Sequence, residues 1–139
     1  MILTGIMYCI YLIKTLIFVA EIKIVMEQVE TGRENTQSQM KKGLLELCIL
    51  AILSGGEAYP TEMMEKLKGA KMVVVEGTLY PLLTRLKNAG FLTYRWEESN
   101  AGPPRKYYNL SEEGRKLLGN LFRSWKEISS AVHSLTEKI

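Results

Sequence analysis

The sequence predicts a mainly helical fold with one small β-hairpin, an α+β domain that ends in a long C-terminal helix. Three observations carry that reading. Leucine-rich segments recur at helical spacing and are closed by glycine. Two short alternating runs flank the turn-forming stretch Ser99-Asn100-Ala101-Gly102-Pro103-Pro104. Finally, Leu118, Leu121, Trp125, Ile128, Val132, Leu135 and Ile139 succeed one another at intervals of three and four residues.

At 139 residues the chain has room for one domain, or one domain with an extension. Its 47% apolar and 24% charged residues suit a globular protein. All 15 acidic residues are glutamate, and there is one histidine, His133. Without aspartate a Ser-His-Asp triad cannot be assembled, and one histidine with two distant cysteines cannot close a zinc site within one chain. No glutamate stands at a recognisable spacing from a nucleophile, so a small hydrolase is not expected. Neither a catalytic residue nor a metal nor a cofactor is expected. Cys9 and Cys48 form no disulfide framework, which points to a reducing, cytoplasmic setting. Cys48 and His133 are given no role.

Four divisions are expected: an apolar extension over 1–25, a flexible tether over 26–39, a folded domain over 40–110 and a dimerisation helix over 111–139. Between Ile2 and Ala20, 15 of 19 residues are apolar, with Lys14 the sole charge. That run has the length of a membrane span, but Lys14 at its centre would cost about 2.5–3.5 kcal/mol. The favoured reading is an upstream extension, with Met26 or Met40 as the native start; a membrane is not expected as a partner. Residues 27–39 hold a single apolar residue, Val29, and so cannot bury enough surface to offset their ordering entropy.

From Met40 to Leu53, the residues Leu44, Leu45, Leu47, Cys48, Leu50, Ala51, Ile52 and Leu53 make a strongly apolar helix, stopped by Ser54-Gly55-Gly56. A second helix starts at Pro60, a residue suited to the first turn, turns Met63, Met64 and Leu67 inward, and ends near Gly69. A third, from Gly77 to Ala89, carries Leu79, Leu82, Leu83 and Leu86 on one face and is closed by Gly90. Phe91–Glu98 then alternates, with Leu92, Tyr94 and Trp96 on one side and Thr93, Arg95 and Glu97 on the other. Arg105–Leu110 alternates again. Ser111 caps the last helix, with Glu112 and Glu113 where its dipole favours them.

Three helices followed by a hairpin are the order of a winged helix-turn-helix, whose third helix enters the major groove while the wing lies along the backbone. Residues 40–139 hold 15 Lys and Arg against 11 Glu, an excess compatible with a nucleic-acid partner. The third helix turns Thr78, Tyr80, Pro81, Thr84, Arg85, Lys87 and Asn88 outward, the first three at the end that meets base edges and phosphates. Taken alone, such a face is equally that of a solvated helix. Arg105, Lys106, Tyr107 and Tyr108, directly after a Gly-Pro-Pro turn, interleave cations with aromatics at the start of a strand. Alternation puts Arg105 and Tyr107 on one side and Lys106 and Tyr108 on the other, so that one pair can meet phosphate.

The C-terminal seam of Leu118, Leu121, Trp125, Ile128, Val132 and Leu135, carried on to Ile139, is about 32 Å long at 1.5 Å per residue. That exceeds what a core of this size can cover, and a second copy related by a two-fold axis is the expected partner. Trp125 in that seam either packs tightly against its mate or leaves a slot.

These residues together resemble the PadR-like transcriptional regulators over 40–139. The resemblance rests on KKGLLELCILAIL, GTLYPLLTRLKNAGFL, GPPRKYYNLSEEGRK and FRSWKEI. It implies a dimeric winged-helix repressor on a palindromic duplex operator. It also implies that Tyr59, Thr78, Tyr80, Pro81, Arg85, Arg105 and Lys106 lie at or near DNA; Lys41 and Tyr107 complete that set. Phe122-Arg123-Ser124-Trp125 is similar to members in which paired tryptophans accept a planar aromatic drug, which makes Trp125 the candidate effector residue. Where the family commonly reads Tyr-Gly-Tyr-Glu this chain has Ala58-Tyr59-Pro60-Thr61, which puts the backbone contact of that turn in question. The alternative from another class is a membrane-tethered adaptor, with residues 2–20 spanning the bilayer and the winged helix binding protein.

Overall fold

A computed structural model describes residues 2–139, and their side chains except those of residues 2–4, 9, 30, 31, 33 and 34. The pairing state of Cys9 therefore lies outside the described residues. The order is α1 (Ile2–Ser54), α2 (Pro60–Gly69), α3 (Glu76–Asn88), β1 (Leu92–Glu97), β2 (Arg105–Leu110) and α4 (Glu112–Thr136). The chain divides into two compact units, Met1–Lys42 and Gly43–Ile139.

The first unit consists of helix. Residues 26–39, expected as a tether, are helical within α1. A lack of apolar surface argues against a packed core, not against local helix, and Glu, Gln and Arg are good helix formers. Contacts one turn apart support it: Thr36 Oγ1 donates to the Gly32 carbonyl at 3.0 Å, and Gln39 Nε2 to Asn35 Oδ1 at 3.5 Å. The apolar side chains from Ile6 to Val29 that are described are all exposed. Among the described residues no helix is long and apolar enough to cross a membrane.

The second unit is the winged helix. Its core joins Leu45, Ile49, Leu50 and Leu53 of α1 to Met63 and Leu67 of α2, Leu79, Leu83 and Leu86 of α3, and Leu92, Tyr108 and Leu110 of the hairpin. These positions follow the apolar spacing, with two differences on α1. Ile49 is completely buried although the leucine pattern alone did not single it out, and Ala51 points to solvent. Met64 and Leu82 are half-buried at the core's edge.

Each helix ends as its punctuation dictates. Gly56 takes φ +140° after α1 and Gly90 takes φ +83° after α3, conformations an L side chain rarely adopts. α2 opens on buried Pro60, while the Tyr59 N–H donates to the Glu62 carboxylate at 3.0 Å. Ser111 caps α4 by accepting from the Gly114 N–H at 3.0 Å, and its hydroxyl donates to the Gly90 carbonyl at 2.6 Å. One side chain thus fastens α4 to the turn that closes α3.

β1 and β2 pair antiparallel from Leu92↔Leu110 to Glu97↔Arg105. Ala58 adds a one-residue third rung, donating to the Tyr108 carbonyl at 3.1 Å and accepting from the Tyr108 N–H at 2.9 Å. The wing is therefore tied to the segment between α1 and α2, not merely to β1.

Candidate nucleic-acid interface

α3 is divided lengthwise by its leucines. With Leu79, Leu83 and Leu86 buried, its outer face shows Tyr80, Pro81, Thr84, Arg85, Lys87 and Asn88, with Thr78 half-buried at the first turn. The register places two different chemistries on the two faces of the wing.

On one face, Tyr94, Trp96, Lys106 and Tyr108 come together. The Lys106 ammonium lies 3.9 Å from the Tyr94 ring centroid, 5.5 Å from Trp96 and 5.6 Å from Tyr108. Three ring faces around one cation fix its position by attraction to their π-electrons. Lys87 of α3 approaches the same Tyr94 ring at 5.5 Å. Tyr108 is buried, which raises its phenol pKa above the ordinary value and leaves it neutral.

On the other face, Arg95, Glu97, Arg105 and Tyr107 alternate with the first set. The Arg95 guanidinium lies 4.9 Å from the Tyr107 ring, and the Arg105 guanidinium 4.8 Å from Tyr59. Tyr59 and Tyr107 meet edge to face at 5.3 Å. Arg95 is also clasped by the Glu57 carboxylate through Nε, at 2.9 Å, and through Nη2. That clasp holds the Glu57 carboxyl below the usual carboxylate range.

Between the start of α2, α3 and the wing lies a cleft of ≈ 410 Å³, lined among others by Tyr59, Tyr80, Trp96, Arg105, Lys106 and Tyr108. Of the residues expected at DNA, Tyr59, Tyr80, Arg105 and Lys106 line this cleft, and Tyr107 touches it through Tyr59. Thr78, Pro81 and Arg85 lie elsewhere on α3. Lys41 belongs to the N-terminal unit.

Arg85 has a partner that the sequence did not suggest. Its Nη2 donates to the Glu46 carboxylate of α1 at 2.5 Å. Nor were Arg95, Glu57, Tyr94 and Trp96 singled out; the hairpin register would have found the last two, opposite Tyr108 and Lys106.

The C-terminal seam divides in two. Leu118 and Leu121 pack against the core of their own domain. Beyond them Ile128 is 58% exposed, Val132 53% and Leu135 84%, with Trp125 at the boundary, 36% exposed. Trp125, Leu121 and Ile128 face Leu44, Glu46 and Leu47 of α1 across a smaller cleft of ≈ 180 Å³.

Residues 49–120 match the family model for the transcriptional regulator PadR-like family. Among solved structures, the chain is similar to a PadR-like transcription factor of Bacteroides fragilis, with 53% identity over 73% of this chain and 99% of that one, at a TM-score of 0.62. It is also similar to a PadR-like transcriptional regulator of Bacillus cereus, with 37% identity over 73% of this chain and 99% of that one, at a TM-score of 0.65. A PadR family regulator of Eggerthella lenta matches with 27% identity over 76% and 93% of the two chains, at a TM-score of 0.69.

Proposed function

The chain belongs to the PadR-like family of transcriptional regulators, and from that premise we propose that it is a homodimeric repressor of a palindromic operator, released by a planar aromatic effector and working in the cytoplasm. Members of this family are DNA-binding regulators and not enzymes. Residues 40–110 would read DNA and residues 111–139 would join two copies. The adaptor reading is not carried further, because family membership assigns the winged helix to DNA.

One observation carries the DNA-binding part: Tyr59 just before α2, Tyr80 of α3 and the wing's Trp96, Arg105, Lys106 and Tyr108 converge on one cleft beside the N-terminal half of α3. Phosphate contacts from Arg105 and Lys106 would fix the register, and Tyr80, Pro81 and Arg85 would meet the groove. The open seam beyond Trp125 supports the dimer. A two-fold partner would cover Ile128, Val132 and Leu135 at once, as a coiled-coil seam requires.

Release follows from geometry. Two recognition helices must stand about 34 Å apart, one duplex turn, to read both half-sites. A flat ligand between Trp125 and its mate would change the angle between subunits and hence that spacing. If it binds the mismatched spacing more tightly, operator affinity falls by the same coupling free energy.

Selection of bound duplexes from a random pool, with and without planar aromatic compounds, tests all three parts. A palindromic consensus that weakens with ligand is expected. Recovery of no preferred sequence would contradict the repressor reading.

A further inference from the structure

The cleft beside the wing offers aromatic rings that an intact duplex cannot use. Trp96 is 61% exposed and Tyr80 45%, and both line the cleft together with Tyr59 and Tyr108. In a paired duplex the bases are stacked on one another, and a protein meets only their edges and the phosphates. An open aromatic wall is matched instead by a base that has left the stack. At ≈ 410 Å³ the cleft falls in the size range of small-ligand sites, which suits one nucleotide and not a paired duplex.

Charge points the same way. No acidic side chain is among the residues lining the cleft. Glu57 and Glu97 are engaged by Arg95, on the other face of the wing, at 2.9 Å and 3.3 Å. Arg105 and Lys106 are held by rings, Arg105 at 4.8 Å from Tyr59 and Lys106 at 3.9 Å from Tyr94. Neither forms an ion pair among the described residues. A ring holds a cation in place without neutralising it, so both keep their charge for an anion. We infer that the cleft takes an unpaired base of single-stranded DNA, stacked on Trp96, with the flanking phosphates met by Arg105 and Lys106. The inference rests on the DNA-binding reading given above and adds the strand state of the ligand. Stacking of this kind accepts any base, because every base has a π-face, and it leaves sequence to be read by α3.

The test separates the base from its phosphate. Three fluorescein-labelled probes are titrated with the full chain at low ionic strength and followed by anisotropy: a short oligothymidylate, an abasic strand of the same length and charge, and a mixed-sequence duplex. The native chain should bind the oligothymidylate roughly fivefold or more tightly than the abasic strand, the lower end of what stacking one base contributes. Trp96→Leu should remove that preference, and Trp96→Phe, which keeps a ring, should retain most of it. The comparison of the two strands on the native chain holds whatever Trp96→Leu does to the wing. If the duplex binds but the two strands bind alike, or neither strand binds, the inference is overturned and the DNA-binding reading stands. The same holds if a folded Trp96→Leu keeps the preference. Should none of the three probes bind, the DNA-binding reading falls and this inference falls with it.

Discussion

Gly114 lies directly against the Phe91 carbonyl: a Cβ at residue 114 would stand 2.1 Å from that oxygen. Ser111 reinforces the contact, since its N–H donates to the same carbonyl at 3.1 Å while its hydroxyl reaches the Gly90 carbonyl. α4 is thus seated on the α3–β1 turn by backbone, with no side chain to yield. The direction in which α4 leaves the winged helix follows from this seat.

Glycine-to-alanine changes inside a helix ordinarily stabilise by about 0.5–1 kcal/mol. At Gly114 the sign should reverse. The new methyl meets backbone that cannot move without shifting α4, so Gly114→Ala should cost about 1–3 kcal/mol, the usual range for overpacking. The midpoint of urea unfolding measures it. An unchanged or higher midpoint would show that α4 is not seated so closely.

The Glu57–Arg95 clasp gives the wing an acid-sensitive fastening. The Glu57 pKa is lowered in the folded chain, with its hydrogen bond from Arg95 as the main cause. The folded state therefore binds this proton less readily than the unfolded state. The contribution is present above the ordinary carboxylate pKa and is lost as pH falls through the lower, folded value. Glu57→Gln should lower stability slightly at neutral pH, a small loss because both groups are well exposed and screened, and should flatten the acid side of the profile so that the two proteins converge at low pH. Thermal melts across the acid range check this.

Arg105 should act through charge and not through sequence. Arg105→Ala should weaken operator and random duplex by about the same factor and reduce the slope of log K against log salt by roughly one. Filter binding across a salt series measures both. An unchanged slope would mean that the Arg105 guanidinium, stacked on Tyr59, never reaches phosphate.

The dimer seam is best tested at Ile128. Leu121 packs against its own core, so Leu121→Glu would damage folding and assembly together. Ile128 is 58% exposed in the single chain, and Ile128→Glu leaves the winged helix intact while placing a charge where a partner would bury it. Sedimentation should show a monomer with a native circular-dichroism spectrum. A dimer that survives the change would place the interface elsewhere.

Much of the architecture was legible because it repeats. Leucines at helical spacing marked α2, α3 and the end of α1, and period-two alternation separated the two faces of the wing. Ser111 followed by Glu112 and Glu113 marked the cap of α4. What remained hidden does not repeat. The Ala58–Tyr108 rung is one residue long, too short to leave a pattern. The Glu46–Arg85 and Glu57–Arg95 pairs join residues 39 and 38 positions apart, which only the folded core brings together. The helix over 26–39 escaped notice because low apolar content bears on burial and says little about local hydrogen bonding. The cage around Lys106 could be placed on a face by alternation, but its closeness to three rings depends on the exact strand pairing.

The most direct test of the account is the mass of the complex with a palindromic duplex recovered by selection, determined by sedimentation equilibrium. Two chains on one duplex, reduced to weak and sequence-indifferent binding by Ile128→Glu, is the predicted result. A single chain bound with undiminished affinity, or no complex at low salt, would contradict it.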